Sequence, residues 1–181
     1  MHSAAAGRRP ARRLCSLVAG MLAATLLVTG CGGSSKPAAS AVSFAGLTVS
    51  NPSDLTSKPH VTGSSTSVPS QLQYKDLVIG SGAAATPTST VRVQYDGLIY
   101  PTGKQFQASW DGPGASSFSL QGVVPGFTQG IGGTSSVPPM KAGGRRILIL
   151  PPALGYPEGT PDGSIPPNTP IVFIVDLISV G

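Results

Sequence analysis

The chain has 181 residues and a formal charge of +5, from 12 basic and 7 acidic side chains. Four of the basic residues (Arg8, Arg9, Arg12 and Arg13) precede Leu14, so the rest of the chain is nearly neutral. That balance excludes a nucleic-acid binder, which needs a concentrated basic face. The length suggests one compact domain with appendages.

Residues 1–30 predict an export signal. Arg8 to Arg13 form a positive leader, and Leu14 to Val28 form an apolar run short for a membrane span. Leu27-Val28-Thr29-Gly30-Cys31 places small residues ahead of a cysteine. It resembles the lipobox of bacterial lipoproteins, in which cleavage follows the glycine and the cysteine is lipidated. A plain secretory signal with a chance cysteine is the alternative. Two acyl chains on Cys31 would anchor the chain stably to the cell membrane, on its extracytoplasmic side. Cys15 would leave with the signal. No thiol would then remain for a disulfide, a nucleophile or a zinc site.

Residues 31–68 read as flexible tether and linker. Gly32 to Ser43 is Gly, Ser, Ala and Pro with one Lys, and Ser50 to Ser70 is mostly Ser, Thr, Pro and Asn around His60. Phe44 to Val49 is mildly apolar and allows a stray strand. The folded domain is expected over 69–181. Leu72 to Ile79 begins with strand-like alternation. Val91 to Tyr95 alternates again, Asp96-Gly97 offers a turn or bulge, and Leu98-Ile99-Tyr100 resumes. Short strands are expected at Phe106 and at Phe118 to Leu120. Val123-Val124-Pro125-Gly126-Phe127 reads as a strand end turning into a short helix, best supported over Phe127 to Ile131. Gly132 to Pro139 is a Gly/Ser/Pro surface loop. Arg145 to Leu150 is β-rich, with Ile147 and Ile149 on one face, and Pro151-Pro152 stops it. A long Pro/Gly loop, Leu154 to Pro170, leads to the last strand, Ile171 to Val180. These elements predict a β-dominated α+β domain.

Familiar catalytic constellations are absent. The acids are scattered and mostly in turns, His60 lies in the expected linker, and metal-ligand spacing is missing. Gly130-Ile131-Gly132-Gly133-Thr134 lacks the Gly-Lys-Ser/Thr ending of a phosphate loop. No cofactor or metal is expected, and any chemistry here should need no nucleophile or base.

Six blocks then appear in order: Val93-Gln94-Tyr95-Asp96-Gly97-Leu98, Gly103-Lys104-Gln105-Phe106, Val123-Val124-Pro125-Gly126-Phe127, Pro151-Pro152-Ala153-Leu154-Gly155-Tyr156, Ile165-Pro166-Pro167-Asn168 and Ile171-Val172-Phe173. Together they resemble the FKBP-type peptidyl-prolyl isomerases over about Leu72 to Ile178. The resemblance implies an antiparallel sheet of about five strands wrapped around one short helix, with an apolar pocket between them. It implies that Tyr95 and Phe106 line one wall, Val123 and Val124 the rim, Phe127 the floor, and Ile165 and Phe173 the far side. The Val124 N–H and the Tyr156 hydroxyl would bond peptide carbonyls. Tyr156, Val124 and Phe106 are the implied catalytic residues. The implied partners are proline-containing segments of exported proteins and the family's macrolide inhibitors.

Three positions depart from the family pattern. Gln107, implied as a substrate-binding residue of the same pocket, stands where the family usually has Asp, Phe127 where many members carry Trp, and Ser116 at the first Phe of Phe-x-Phe-x-Leu. They motivate an alternative, a binding or chaperone module with little turnover.

Overall fold

The computed structural model describes residues 40–181. The expected signal (1–30), Cys31 and the first part of the tether lie outside these residues. Among the described residues nine strands run in chain order: β1 (Ala41–Phe44), β2 (Leu47–Ser50), β3 (His60–Gly63), β4 (Gln73–Val78), β5 (Thr90–Ile99), β6 (Gln105–Ala108), β7 (Ser116–Ser119), β8 (Gly144–Leu150) and β9 (Ile171–Val180). The one α-helix among these residues, α1 (Pro125–Gly132), lies between β7 and β8.

The six strands β4 to β9 form one antiparallel sheet in the order β4-β8-β9-β5-β6, with β7 also on β5. β6 pairs with the second half of β5 (Asp96 to Leu98) and β7 with the first half (Thr90 to Val93). Any line across the sheet therefore meets about five strands, as expected. β5 is one continuous strand. Its Asp96-Gly97 step does not turn the chain, and the β6 register slips between Gly97 and Leu98. A slip of this kind bends the strand locally.

The sheet's inner face carries Val93, Tyr95, Leu148, Leu150, Ile171, Phe173 and Val175, which pack with Phe127 and Ile131 of α1. The helix is a poor one by composition, with three glycines in eight residues and no side-chain cap at Val124. Pro125 suits its first turn, because the ring sets a helical φ and the missing N–H has no partner there anyway. The glycines earn their place by packing. A Cβ on Gly126 would meet Leu150 at 2.4 Å, and one on Gly130 would meet Leu148 at 2.5 Å. The helix thus lies almost on the sheet, held by tertiary contact rather than by propensity.

The tether expectation fails over Ala41 to Gly63. This stretch folds as a three-stranded antiparallel sheet in the order β1-β2-β3. Leu47 and Val49 of β2 are buried against Leu98, Tyr100, Ile147, Ile149, Val172 and Ile174 on the outer face of the main sheet. His60, expected in linker, opens β3 opposite Ser50 and is exposed. β8 is consequently buried along its whole length. Polar ties reinforce the contact. The Tyr100 hydroxyl donates to the Ala45 carbonyl at 2.6 Å. Arg145 is fully buried, paired with Asp176 through two bonds of 2.5 and 2.6 Å. Two further N–H groups donate to the carbonyls of Asn51 (3.2 Å) and Ser57 (3.1 Å).

Asp96 lies beneath the same layer. It sits opposite Ile174 in the β5–β9 register, so both side chains leave on the outer face. It is 3 % exposed, and its Oδ1 has no hydrogen-bond partner among the described residues. Burial pushes its carboxyl up to about 6, with Lys58 opposing the rise and Asp111 adding to it. An unfolded Asp titrates near 3.9. Between roughly pH 4 and 6 the folded state therefore binds the extra proton, and stability falls as pH rises through that window. Above it the full penalty of a buried charge is present, up to about 3 kcal/mol at 1.36 kcal/mol per pKa unit. Asp96→Asn should raise the melting temperature at pH 7.5 and flatten the pH dependence of melting between 4 and 6. Equal melting of the two proteins at pH 7.5 would show that the Asp96 charge costs the fold nothing.

Candidate functional site

A cavity of about 490 Å³ opens between α1 and the inner face of the sheet. Tyr95 comes to it from β5, Phe118 from β7 and Phe173 from β9. Gly122, Val123 and Val124 line it from the segment entering α1, Phe127 from the helix itself, and Tyr156 from the loop after β8. Gln107 of β6 completes the lining.

The aromatic rings form one cluster with Phe173 at its centre. Its ring centroid lies 5.2 Å from that of Phe127, 5.7 Å from Phe106 and 6.2 Å from Tyr95. Phe118 bridges the other side, 5.9 Å from Tyr95 and 6.3 Å from Phe127. Edge-on pairs of this kind add about 0.5–1.5 kcal/mol each beyond area burial. Gly97 lets the cluster close. A Cβ there would stand 2.7 Å from the Phe106 ring and 3.0 Å from the Phe173 ring. The rings are therefore locked by one another and present a stiff apolar wall.

Polar groups at the cavity are few. Tyr95 and Tyr156 contribute hydroxyls, and no other described residue engages either of them in a hydrogen bond. Burial, and after it the neighbouring Tyr156, raises the Tyr95 phenol above its ordinary value, so the Tyr95 hydroxyl remains a protonated donor at neutral pH. The Tyr95 strand position is fixed from behind, where the Ser109 hydroxyl accepts the Tyr95 N–H at 2.8 Å. The Val124 N–H takes no part in the backbone bonds that start the helix, whereas the Val124 carbonyl accepts from Phe127 and Thr128.

Seven of the expected pocket residues thus meet at one cavity: Tyr95, Gln107, Val123, Val124, Phe127, Tyr156 and Phe173. Phe106 and Ile165 do not line it. They line an adjoining cavity of about 430 Å³, which shares Gln107 and Tyr156 with the first and is completed by Thr160, Pro161, Asp162 and Ser164. The cause lies in the packing. The Phe106 ring stacks edge-on against Phe173 from the far side, and Ile165 is 1 % exposed beneath its own loop. Phe118 was missed as a pocket residue. The signal was its position two residues before Leu120 in the Phe-x-Leu half of the family pattern, and it supplies the aromatic surface that Ser116 does not.

The Gly132 to Pro139 loop reaches neither cavity. Val137 is buried, and the Pro138 carbonyl accepts from Arg146 Nη1 at 2.7 Å. The same guanidinium nitrogen bonds the Gly130 carbonyl at the end of α1 (2.8 Å), while Arg146 pairs with Asp76 and lies over the Tyr74 ring. The loop is thus anchored to the sheet on the β4 side, away from the aromatic cavity.

A twisted antiparallel sheet crossed by one short helix, with an aromatic cavity between them, is the FKBP fold. The chain belongs to the FKBP-type peptidyl-prolyl cis-trans isomerase family, whose model matches residues 81–178. It is 42% identical over 112 residues to a probable FK506-binding protein of Corynebacterium glutamicum, covering 61% of this chain and 88% of that one. It is 37% identical over 126 residues to an FK506-binding protein of Streptomyces anulatus, covering 68% of this chain and 97% of that one. The crystal structure of AtFKBP13 superposes with a TM-score of 0.58 at 32% identity, over 63% of this chain and 96% of that chain. That of FkpA from Escherichia coli superposes with a TM-score of 0.53 at 38% identity, over 60% of this chain and 47% of that chain. The protein is an FKBP-type peptidyl-prolyl cis-trans isomerase. The β1–β3 layer precedes the residues that the family model matches.

Proposed function

We propose that the aromatic cavity is the catalytic site and that it isomerises X-Pro bonds of exported proteins, with the enzyme held at the outer face of the cell membrane by lipid on Cys31. The convergence of Tyr95, Phe127, Tyr156 and Phe173 on one cavity carries the site assignment. The run Leu27 to Cys31, directly after a basic and then an apolar segment, supports export and anchoring.

The chemistry suits such a cavity. An X-Pro amide must lose its resonance to rotate, over a barrier of about 18–20 kcal/mol. The planar amide is more charge-separated than the twisted one, so water stabilises the planar form more. An apolar aromatic wall withdraws that preference and fits the twisted ring. The Tyr156 hydroxyl and the Val124 N–H would hold the flanking carbonyls while the proline ring rests on Phe127. Each tenfold in rate needs only about 1.4 kcal/mol, so a few such contacts suffice without acid, base or metal.

Tyr156→Phe tests the site. It removes one neutral hydrogen bond, worth about 0.5–1.5 kcal/mol, and should lower kcat/KM about two- to twelve-fold. The melting temperature should be unchanged. An unaltered rate on several proline peptides would remove Tyr156 from the mechanism. For the substrate class, catalytic amounts of the protein should accelerate proline-limited refolding of exported proteins, a step that otherwise takes tens of seconds. A panel of such proteins refolding at the uncatalysed rate would sink that part. Cys31→Ser should move the protein from the membrane to the soluble fraction after signal cleavage, because stable anchoring rests on its acyl chains. A variant that stays with the membrane after cleavage would sink the anchor.

A further inference from the structure

The adjoining cavity has two unlike sides. Phe106 and Ile165 give it an apolar side, and Thr160, Asp162 and Ser164 a polar one. Asp162 is the only charged residue lining either of the two cavities. Its position is set locally. Oδ1 accepts from the Ser164 N–H at 3.1 Å and from the Ser164 hydroxyl at 2.9 Å. Hydrogen bonding, from Thr160 first and then from Ser164, holds its carboxyl below the usual range. The loop that carries it is closed by further bonds, Thr160 N–H to the Ile165 carbonyl (2.9 Å) and Asn168 N–H to the Pro157 carbonyl (2.8 Å). None of the salt bridges among the described residues involves Asp162. The Asp162 carboxylate is therefore ionised, fixed and unmatched by a basic side chain.

We infer that this second cavity is a specificity subsite for a lysine or arginine flanking the substrate proline. Such a side chain has an aliphatic stem to lie along Phe106 and Ile165 and a cationic head to reach Asp162. A short apolar residue would leave the polar side empty, and an acidic one would meet a like charge. Because the cavity shares Gln107 and Tyr156 with the aromatic one, a single extended peptide can occupy both. The inference rests on the aromatic cavity being the catalytic site.

The test uses the full chain and two tetrapeptide series, one varying the residue before proline and one the residue after it. Each series contains lysine, norleucine, glutamine and glutamate. Norleucine shares the stem of lysine without its charge. In one of the series kcat/KM should be about two- to five-fold higher for lysine than for norleucine, the scale of an exposed ion pair. Glutamate should fall below glutamine in the same series. The lysine advantage should shrink in 0.5 M salt. Asp162→Asn should bring the lysine-to-norleucine ratio to about one, and Asp162→Lys should invert it. The ratio is taken within each variant, so a general change in activity cancels. Glu158→Gln, in the same loop but lining neither cavity, should preserve the ratio. Equal rates for lysine and norleucine in both series would overturn the subsite, as would a ratio that survives Asp162→Asn or is lost with Glu158→Gln. Failure of the catalytic assignment would look different: the norleucine peptides would be turned over as well by Tyr156→Phe as by the parent enzyme.

Discussion

A chain shortened to begin at Pro69 should be severely destabilised, even though it keeps every residue matched by the family model. Without β1 to β3, the outer faces of Leu98, Tyr100, Ile147, Ile149, Val172 and Ile174 meet water. Full burial of one such side chain contributes about 1.5–3 kcal/mol. Partial re-exposure of six therefore removes several kcal/mol from a domain stability that is typically only 5–15 kcal/mol. The cut also strips Arg145 of the Asn51 and Ser57 carbonyls and the Tyr100 hydroxyl of Ala45. Thermal unfolding of residues 40–181 against 69–181 measures the loss. Leu47→Ala within the longer chain is the finer probe, since Leu47 is 2 % exposed and truncation of a buried Leu costs about 2–5 kcal/mol. Should both changes leave melting untouched, the layer is not part of the stable fold. The practical consequence concerns assays: an isomerase measurement on 69–181 would report folding failure and not catalysis.

Asp176→Ala should destabilise the protein by about 3–5 kcal/mol, the cost of leaving a buried partner charge uncompensated. Arg145 and Asp176 face one another across the two central strands, and the Arg145 side chain has no exposure to water. The substitution leaves its guanidinium with only two backbone carbonyls of the covering layer. Replacing both residues, Arg145→Met with Asp176→Leu, should recover most of the loss, because an apolar pair of similar volume needs no compensation. Chemical denaturation of Arg145→Met, Asp176→Leu and the double variant gives the coupling between them. Additive losses in that cycle would mean that each residue acts alone. Activity per folded molecule should survive in all three, since this pair sits on the face of the sheet opposite the aromatic cavity.

The strands of the isomerase domain were legible because their cause is local. Val91 to Tyr95 alternates with the two-residue period of a half-buried strand, and Ile171 to Val180 is rich in β-branched residues. Pro125 ahead of Gly126 and Phe127 marked the turn into the helix. The family blocks then put seven of the nine expected pocket residues on one cavity. Phe106 and Ile165 fell to the neighbouring cavity because a ring's facing depends on what packs behind it. For Phe106 that is Phe173, 67 residues further along the chain, approached over Gly97. The aromatic surface of Phe118 escaped notice for the same reason, since a four-residue strand of three serines and one Phe does not state which wall it completes.

The covering layer shows most clearly where the local signal ends. Ala41 to Phe44, Leu47 to Ser50 and His60 to Gly63 are four-residue strands, and only the second, overlapping the mildly apolar Phe44 to Val49, leaves a trace that a linker would not. A clue was present in Arg145 to Leu150, whose apolar residues fall on both faces and so require cover on both. By itself the sequence determined the main strands, the helix start, the family and most of the pocket, because these follow from periodicity, turn chemistry and ordered motifs along the chain. Only the tertiary structure decided that residues 41–63 cover the sheet, that Asp96 and Arg145 are buried beneath them, and that a second cavity carrying Asp162 adjoins the first. Those features are set by burial between segments distant in the chain, and burial has no period that a sequence can display.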